Sequence, residues 1–176
     1  MRAAGLALIL GLLAAPAAAE VVDAQANGFQ VRETATVAAS PDRVWAALVD
    51  LGGWWNPAHT YSGDAANLSL EPKARGCWCE RLANGGSVQH MTVIYVAPGE
   101  ALRAHGGLGP LQGQGLDGAL TFAIKPEGAG SAVSLTYVVG GYMPGGAAQM
   151  AAPVDEVLGE QLARLKAYAE IGKPTL

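Results

Sequence analysis

Charge is scarce in this sequence, and basic charge scarcest. Asp, Glu, Lys and Arg make up 15% of 176 residues, with 11 basic side chains against 15 acidic ones. Without a basic face, neither nucleic acid nor an anionic membrane surface is an expected partner. Long apolar runs are missing too. Leu6 to Leu13 is the apolar core of the N-terminus, far short of the ~20 residues that cross a bilayer. No stable membrane insertion is therefore expected. The two cysteines lie far from the N-terminus, which excludes a lipid-anchored leader. Internal repeats, low-complexity tracts and linkers are absent as well. A single domain is the expectation.

What is present begins with a leader. Arg2 gives a short positive region, Leu6 to Leu13 the apolar core, and Pro16-Ala17-Ala18-Ala19 the small-residue exit. That order is a signal peptide cleaved before Glu20. It predicts residues 1–19 as leader, residues 20–176 as the domain, and export to the periplasm or the medium. The mature chain carries a net charge of about −5 once Arg2 is removed.

Twenty-four glycines and ten prolines supply the turns of an antiparallel sheet. Gly28 to Ala38 alternates as a strand, with Phe29, Val31, Glu33, Ala35 and Val37 on one face. Ser40-Pro41-Asp42 then opens a helix that closes by Gly52-Gly53. Strands follow over 67–70, 76–82, 87–96, 101–107, 116–125 and 132–139, with hairpin signals at Asn84-Gly85 and Pro98-Gly99. Val154, Val157, Leu158, Leu162, Leu165 and Tyr168 recur at spacings of three and four, predicting a long terminal helix. Pro153 is either in its first turn or the cause of a kink. The fold class expected is α+β: a curved antiparallel sheet of about 6–7 strands around a long C-terminal helix, with a short helix after the first strand.

Three stretches carry that pattern toward a family. Ala39-Ser40-Pro41-Asp42-Arg43-Val44-Trp45 follows the first strand, Pro98-Gly99-Glu100-Ala101-Leu102 turns into another, and the long helix closes the chain. In these the chain resembles the START-like (SRPBCC) polyketide cyclase and lipid-transport superfamily, which also holds chaperone-ATPase activator domains. The resemblance implies a helix-grip fold with a cavity for a hydrophobic molecule, and it transfers no catalytic residue. The export signal departs from the cytoplasmic activator-like members.

Candidate site residues fall into four groups. Trp54-Trp55-Asn56-Pro57-Ala58-His59-Thr60-Tyr61 crowds aromatic surface into one loop, so Trp54, Trp55, His59 and Tyr61 are expected at a pocket mouth. Trp78, Met91, Tyr95, Phe122 and Leu158 are expected on its walls. For proton transfer the candidates are His59, with Asp64 to orient it, and Glu33 and Glu80, which share strand faces with apolar residues. Cys77 and Cys79, at i and i+2 of a strand, share a face at a spacing too long for a disulfide. Either a bulge distorts the strand, or the thiols stay reduced, bind something, or pair between molecules. Two-residue turns at Asn84-Gly85 and Pro98-Gly99 would set Cys79 opposite His90, Cys77 opposite Thr92, and Thr92 opposite His105. Cys77, Cys79, His90 and His105 would then share a face as a ligand set for zinc or copper. Arg81 and Arg103 on that face favour plain solvent exposure, and no metal is expected. The glycine-rich stretch from Leu108 to Gly115 has no basic residue and no following helix, so it is no phosphate cradle. No cofactor is expected.

These features support three readings. The first is an exported carrier of a lipid, polyketide-like or aromatic molecule. The second is a cyclase or dehydratase acting on such a molecule. The third is an interaction module that uses the cysteine face for metal capture or for a homodimer.

Overall fold

Alternating apolar residues form most of the eight strands in this computed structural model, which describes residues 18–174. The leader reading lies almost wholly outside the described residues. The strands are β1 (Ala18–Gln25), β2 (Gly28–Val37), β3 (Leu68–Leu70), β4 (Cys77–Arg81), β5 (Ser87–Ala97), β6 (Ala101–His105), β7 (Leu116–Glu127) and β8 (Gly130–Gly141). They form one antiparallel sheet in the order β1-β2-β8-β7-β6-β5-β4-β3. Seven of them are the strands the sequence predicts. The eighth, β1, folds back on β2 through Ala26-Asn27. Its mixed Glu20-Val21-Val22-Asp23 pattern gives no clean alternation, and a bulge between Val21 and Asp23 explains why.

Two helices follow β2. In α1 (Pro41–Val49) Ser40 caps the first turn by accepting from the Arg43 amide, and Pro41 holds the first position. A short α2 (Leu51–Trp54) continues past Asp50 and delivers the aromatic loop. The long α3 (Ala151–Ile171) buries Leu158, Leu162, Leu165 and Ala169, and packs on the sheet chiefly through β2. Pro153 sits in its first turn, where no amide is needed, so it does not kink the helix. The core between sheet and α3 is built from Val31, Val93, Leu102, Leu120, Phe122, Leu135 and Tyr137.

Register decides which residues face that core. The Asn84-Gly85 turn is a tight helical turn over Ala83–Gly85, with Asn84 at a φ of 56°, and it pairs Arg81 with Ser87. That is one residue out of step with a two-residue turn. A bulge restores the step: Cys79 pairs with Gln89, Trp78 with Met91, and His90 is the extra residue. The second hairpin repeats the device. Ala97 pairs with Ala101, Ile94 is the extra residue, and Thr92 returns to face His105. The predicted Cys77–Thr92 and Thr92–His105 pairs are present, whereas the Cys79–His90 pair is not.

Candidate functional site

The bulge at His90 dissolves the supposed cysteine–histidine face. It turns the imidazole inward, to 5% exposure, where Nε2 lies 2.9 Å from the Glu80 carboxylate. His105 stays on the outer face beside Asp117. Cys77 and Cys79 are joined in a disulfide, their Cα atoms 5.4 Å apart. The irregularity between Trp78 and Cys79 breaks the even strand spacing that would have kept the sulfurs apart. Among the described residues no free thiol is left, and the four proposed ligands do not meet.

The aromatic loop is fixed on three sides. Asn56 starts its helical turn by accepting from the Ala58 amide, and the Trp55 indole donates to the His59 carbonyl at 3.1 Å. Toward α3, Arg164 donates to the Trp54 carbonyl, the Asn56 amide donates to Gln161, and the Asn56 side chain donates to Glu160. His59 Nε2 lies 3.1 Å from the other Glu160 oxygen. The carboxylate that orients His59 therefore comes from α3 and not from Asp64, which caps the turn at Ala65–Asn67 instead. Toward the sheet, the Tyr61 and Ser62 amides both donate to Glu80.

Glu80 is therefore an anchor, 1% exposed. Burial pulls its pKa up, but hydrogen bonds from Ser62, Tyr61 and His90 outweigh it and hold the carboxyl below its ordinary value. Glu33 is the opposite case. It is equally buried on β2, and what it meets there is a second acid, the Asp155 carboxyl of α3, with which it can share a hydrogen bond only while one of the two holds a proton. Burial first, and the neighbouring Asp155 of α3 second, push its pKa up to about 8. The carboxyl points inward as its strand face requires, yet it is not part of the cavity lining.

The glycine-rich loop is the third wall. Buried Tyr137 donates from its hydroxyl to the Gly106 carbonyl at 2.6 Å and accepts from the Leu108 amide at 3.2 Å. Tyr61 reaches across from the aromatic loop to donate to the Gly109 carbonyl at 3.0 Å. Gly106 itself has a φ of 155°, and a Cβ there would stand 2.5 Å from the His90 carbonyl oxygen. Gly106→Ala is therefore expected to lower stability by about 1–3 kcal/mol. Thermal unfolding checks this, and an unchanged midpoint would show that the bulge does not press on residue 106.

Between the two loops and the N-terminal half of α3 lies a cavity of about 440 Å³. Trp55, Leu68, Trp78, Leu108, Val157 and Leu158 make its apolar walls, with His59, Thr60, Tyr61 and His90 as its polar groups. Trp55 stands edge-on to Trp78 at 5.3 Å between centroids, and the Tyr61 ring tilts over His90 at 5.8 Å. Of the expected pocket residues, Trp55, His59, Tyr61, Trp78 and Leu158 line it. Trp54, Met91 and Phe122 do not: they are core, with the Trp54 indole donating to Leu48 and packing edge-on to Phe122. Tyr95 is misplaced altogether. The Ile94 bulge turns it outward, 48% exposed, with Arg103 over its ring. Sequence reasoning set His90 in a metal-ligand group and not in the pocket, and it missed Glu160 altogether. The helical spacing of Val154 and Val157 was visible, but not that these two face a cavity.

The family described as polyketide cyclase/dehydrase and lipid transport matches residues 28–170. Solved structures share the fold. A conserved protein of unknown function from Enterococcus faecalis is 16% identical, covering 89% of this chain and 78% of its own, with a TM-score of 0.60. The Aha1 dimer from Colwellia psychrerythraea is 19% identical over 82% of this chain and 98% of its own, with a TM-score of 0.58. CalU16 from Micromonospora echinospora is 17% identical over 90% and 85%, with a TM-score of 0.55. No curated protein matches the chain.

Proposed function

Because the chain belongs to the polyketide cyclase/dehydrase and lipid-transport family, we propose that it is an exported protein that holds a small hydrophobic or aromatic molecule in the cavity beside α3. The observation that carries this reading is the cavity itself. Its volume of about 440 Å³ lies in the range of small-molecule sites, and its walls are apolar with a few convergent polar groups. Trp55, Trp78 and Tyr61 offer edges and faces to a ring. Export is supported by the leader pattern of residues 1–19 and by the Cys77–Cys79 disulfide, a bond that persists in oxidising compartments. The acidic balance argues against nucleic acid as a partner.

Titration with 1-N-phenylnaphthylamine, an apolar dye that brightens when removed from water, tests the pocket. Saturable binding at one site is expected, with quenching of the wall tryptophans. Val157→Trp fills the cavity from a half-buried position and should weaken binding by tenfold or more at little cost in stability. Dye that binds this variant as well as the parent would place the ligand elsewhere. N-terminal sequencing of protein from the exported fraction tests the leader: a mature chain starting at Glu20 is expected, and retention of residue 1 would overturn it.

A further inference from the structure

Two histidines line this one cavity, and each is held in the same way. His90 Nε2 rests on Glu80 at 2.9 Å, and His59 Nε2 rests on Glu160 at 3.1 Å. Each carboxylate is itself positioned by other donors, Glu80 by two backbone amides and Glu160 by the Asn56 side chain. A carboxylate accepting at Nε2 fixes the tautomer with the proton on Nε2. Among the described residues Nδ1 of neither ring has a hydrogen-bond partner. The two rings differ in depth. His90 is buried on the sheet floor, whereas the His59 side chain is 34% exposed at the mouth, where it can trade protons with water.

We propose that His90 and His59 are a catalytic base and acid for proton transfer on an apolar ketone bound in the cavity, with Glu80 and Glu160 as positioning residues. The inference rests on the reading that the cavity takes an apolar molecule. In the step, His90 Nδ1 removes a proton from the carbon next to the carbonyl. The C–H electron pair forms the carbon–carbon double bond, and the carbonyl π pair moves to oxygen. Protonated His59 gives its proton to that oxygen, so an O–H bond forms and the product is the enol. Return of the proton from His90 to the same or the vinylogous carbon, with loss of the O–H proton to His59, restores both residues. Nothing is oxidised, and no co-reactant is consumed. Apolar walls suit such a step, because a base held out of water, as His90 is, needs little solvent reorganisation.

The natural ketone being unidentified, the probes are 5-nitrobenzisoxazole and unsubstituted benzisoxazole. A base takes the ring C–H proton, the electron pair forms a nitrile, and the N–O bond breaks to release a phenolate. The purified full chain should turn over the nitro compound with saturation, about 100-fold or more faster than free imidazole at equal concentration. His90→Gln keeps an N–H for Glu80 but has no basic nitrogen, and should lose about that whole factor while still binding 1-N-phenylnaphthylamine. His59→Gln should cost roughly tenfold more on the unsubstituted compound, whose poorer leaving group needs the acid. Glu160→Gln should lower kcat with KM kept. His105→Gln, on the outer face, should change nothing. Dye binding with turnover no faster than imidazole overturns the proton-transfer inference and leaves the carrier reading standing. Failure of both dye and turnover overturns both. Should His90→Gln not fold, competition decides: turnover that saturating dye does not block takes place outside the cavity and overturns the inference.

Discussion

Glu33→Gln should raise the thermal midpoint at pH 9 by up to about 10 °C and leave it nearly unchanged at pH 4.5. The carboxyl is 1% exposed, its polar neighbour is another acid, and its pKa is pushed up to about 8 by burial first and by the hydrogen bond and charge of Asp155 second. A raised carboxyl pKa means that the folded state holds a proton which the unfolded chain has lost. Stability therefore falls as pH climbs from the ordinary value of 4.5 toward 8, and levels off above. A shift of that size corresponds to roughly 5 kcal/mol, as an upper figure. Glutamine keeps the shape of the neutral acid, cannot ionise, and offers an N–H to the Asp155 carboxylate. Its melting curve should lose the alkaline decline of the parent. Parallel pH profiles for the two proteins would show that Glu33 reaches water or finds a partner in solution. Asp155→Asn should reproduce only the smaller, second part of the effect, since burial is the first cause.

The same residue marks how much of the molecule could be read from its sequence. Glu33 lies on a regular strand, so period two alone placed it inward between Val31 and Ala35, and the structure agrees. Seven strands, the Ser40-Pro41 helix start and α3 were legible for the same reason: period and caps are local signals. The cavity floor was not. It depends on two hairpins whose turns are each one residue out of step with a two-residue connection, each corrected by a bulge. A single residue of register exchanges the two faces of a strand. That exchange carried His90 from an imagined metal face into the pocket, and Tyr95 from the pocket to solvent. Cys77 and Cys79, with Cα atoms 5.4 Å apart, are closer than an evenly extended strand sets residues two apart, so period two gave the wrong answer for the disulfide. Glu160 was hidden for another reason. Its partner His59 is 101 residues away in sequence, and no local pattern joins a loop to the side of a distant helix.

Glu80→Ala should do more damage than any other single change at the site. It removes the acceptor shared by the Tyr61 amide, the Ser62 amide and His90, and it leaves a void in a place 1% exposed. Losing one member of a buried, charge-assisted network costs about 3–5 kcal/mol, which for a domain of this size is a fall of about 10 °C in the thermal midpoint. The effect should depend on pH in the sense opposite to that of Glu33. The Glu80 pKa is lowered on folding, so its contribution is complete above the unfolded value and fades as pH falls through the folded one. The parent should therefore lose stability in acid more steeply than the variant. Amide hydrogen exchange should localise the damage, with Tyr61 and Ser62 exposed first. Because Tyr61 also donates to Gly109, release of the aromatic loop frees the glycine-rich loop as well, and both walls of the cavity loosen together. Loss of apolar-dye binding should therefore precede global unfolding. Tyr61 and Ser62 amides that stay protected in Glu80→Ala would mean that α3, through Asn56 and Glu160, holds the loop by itself. The carboxylate would then serve His90 alone.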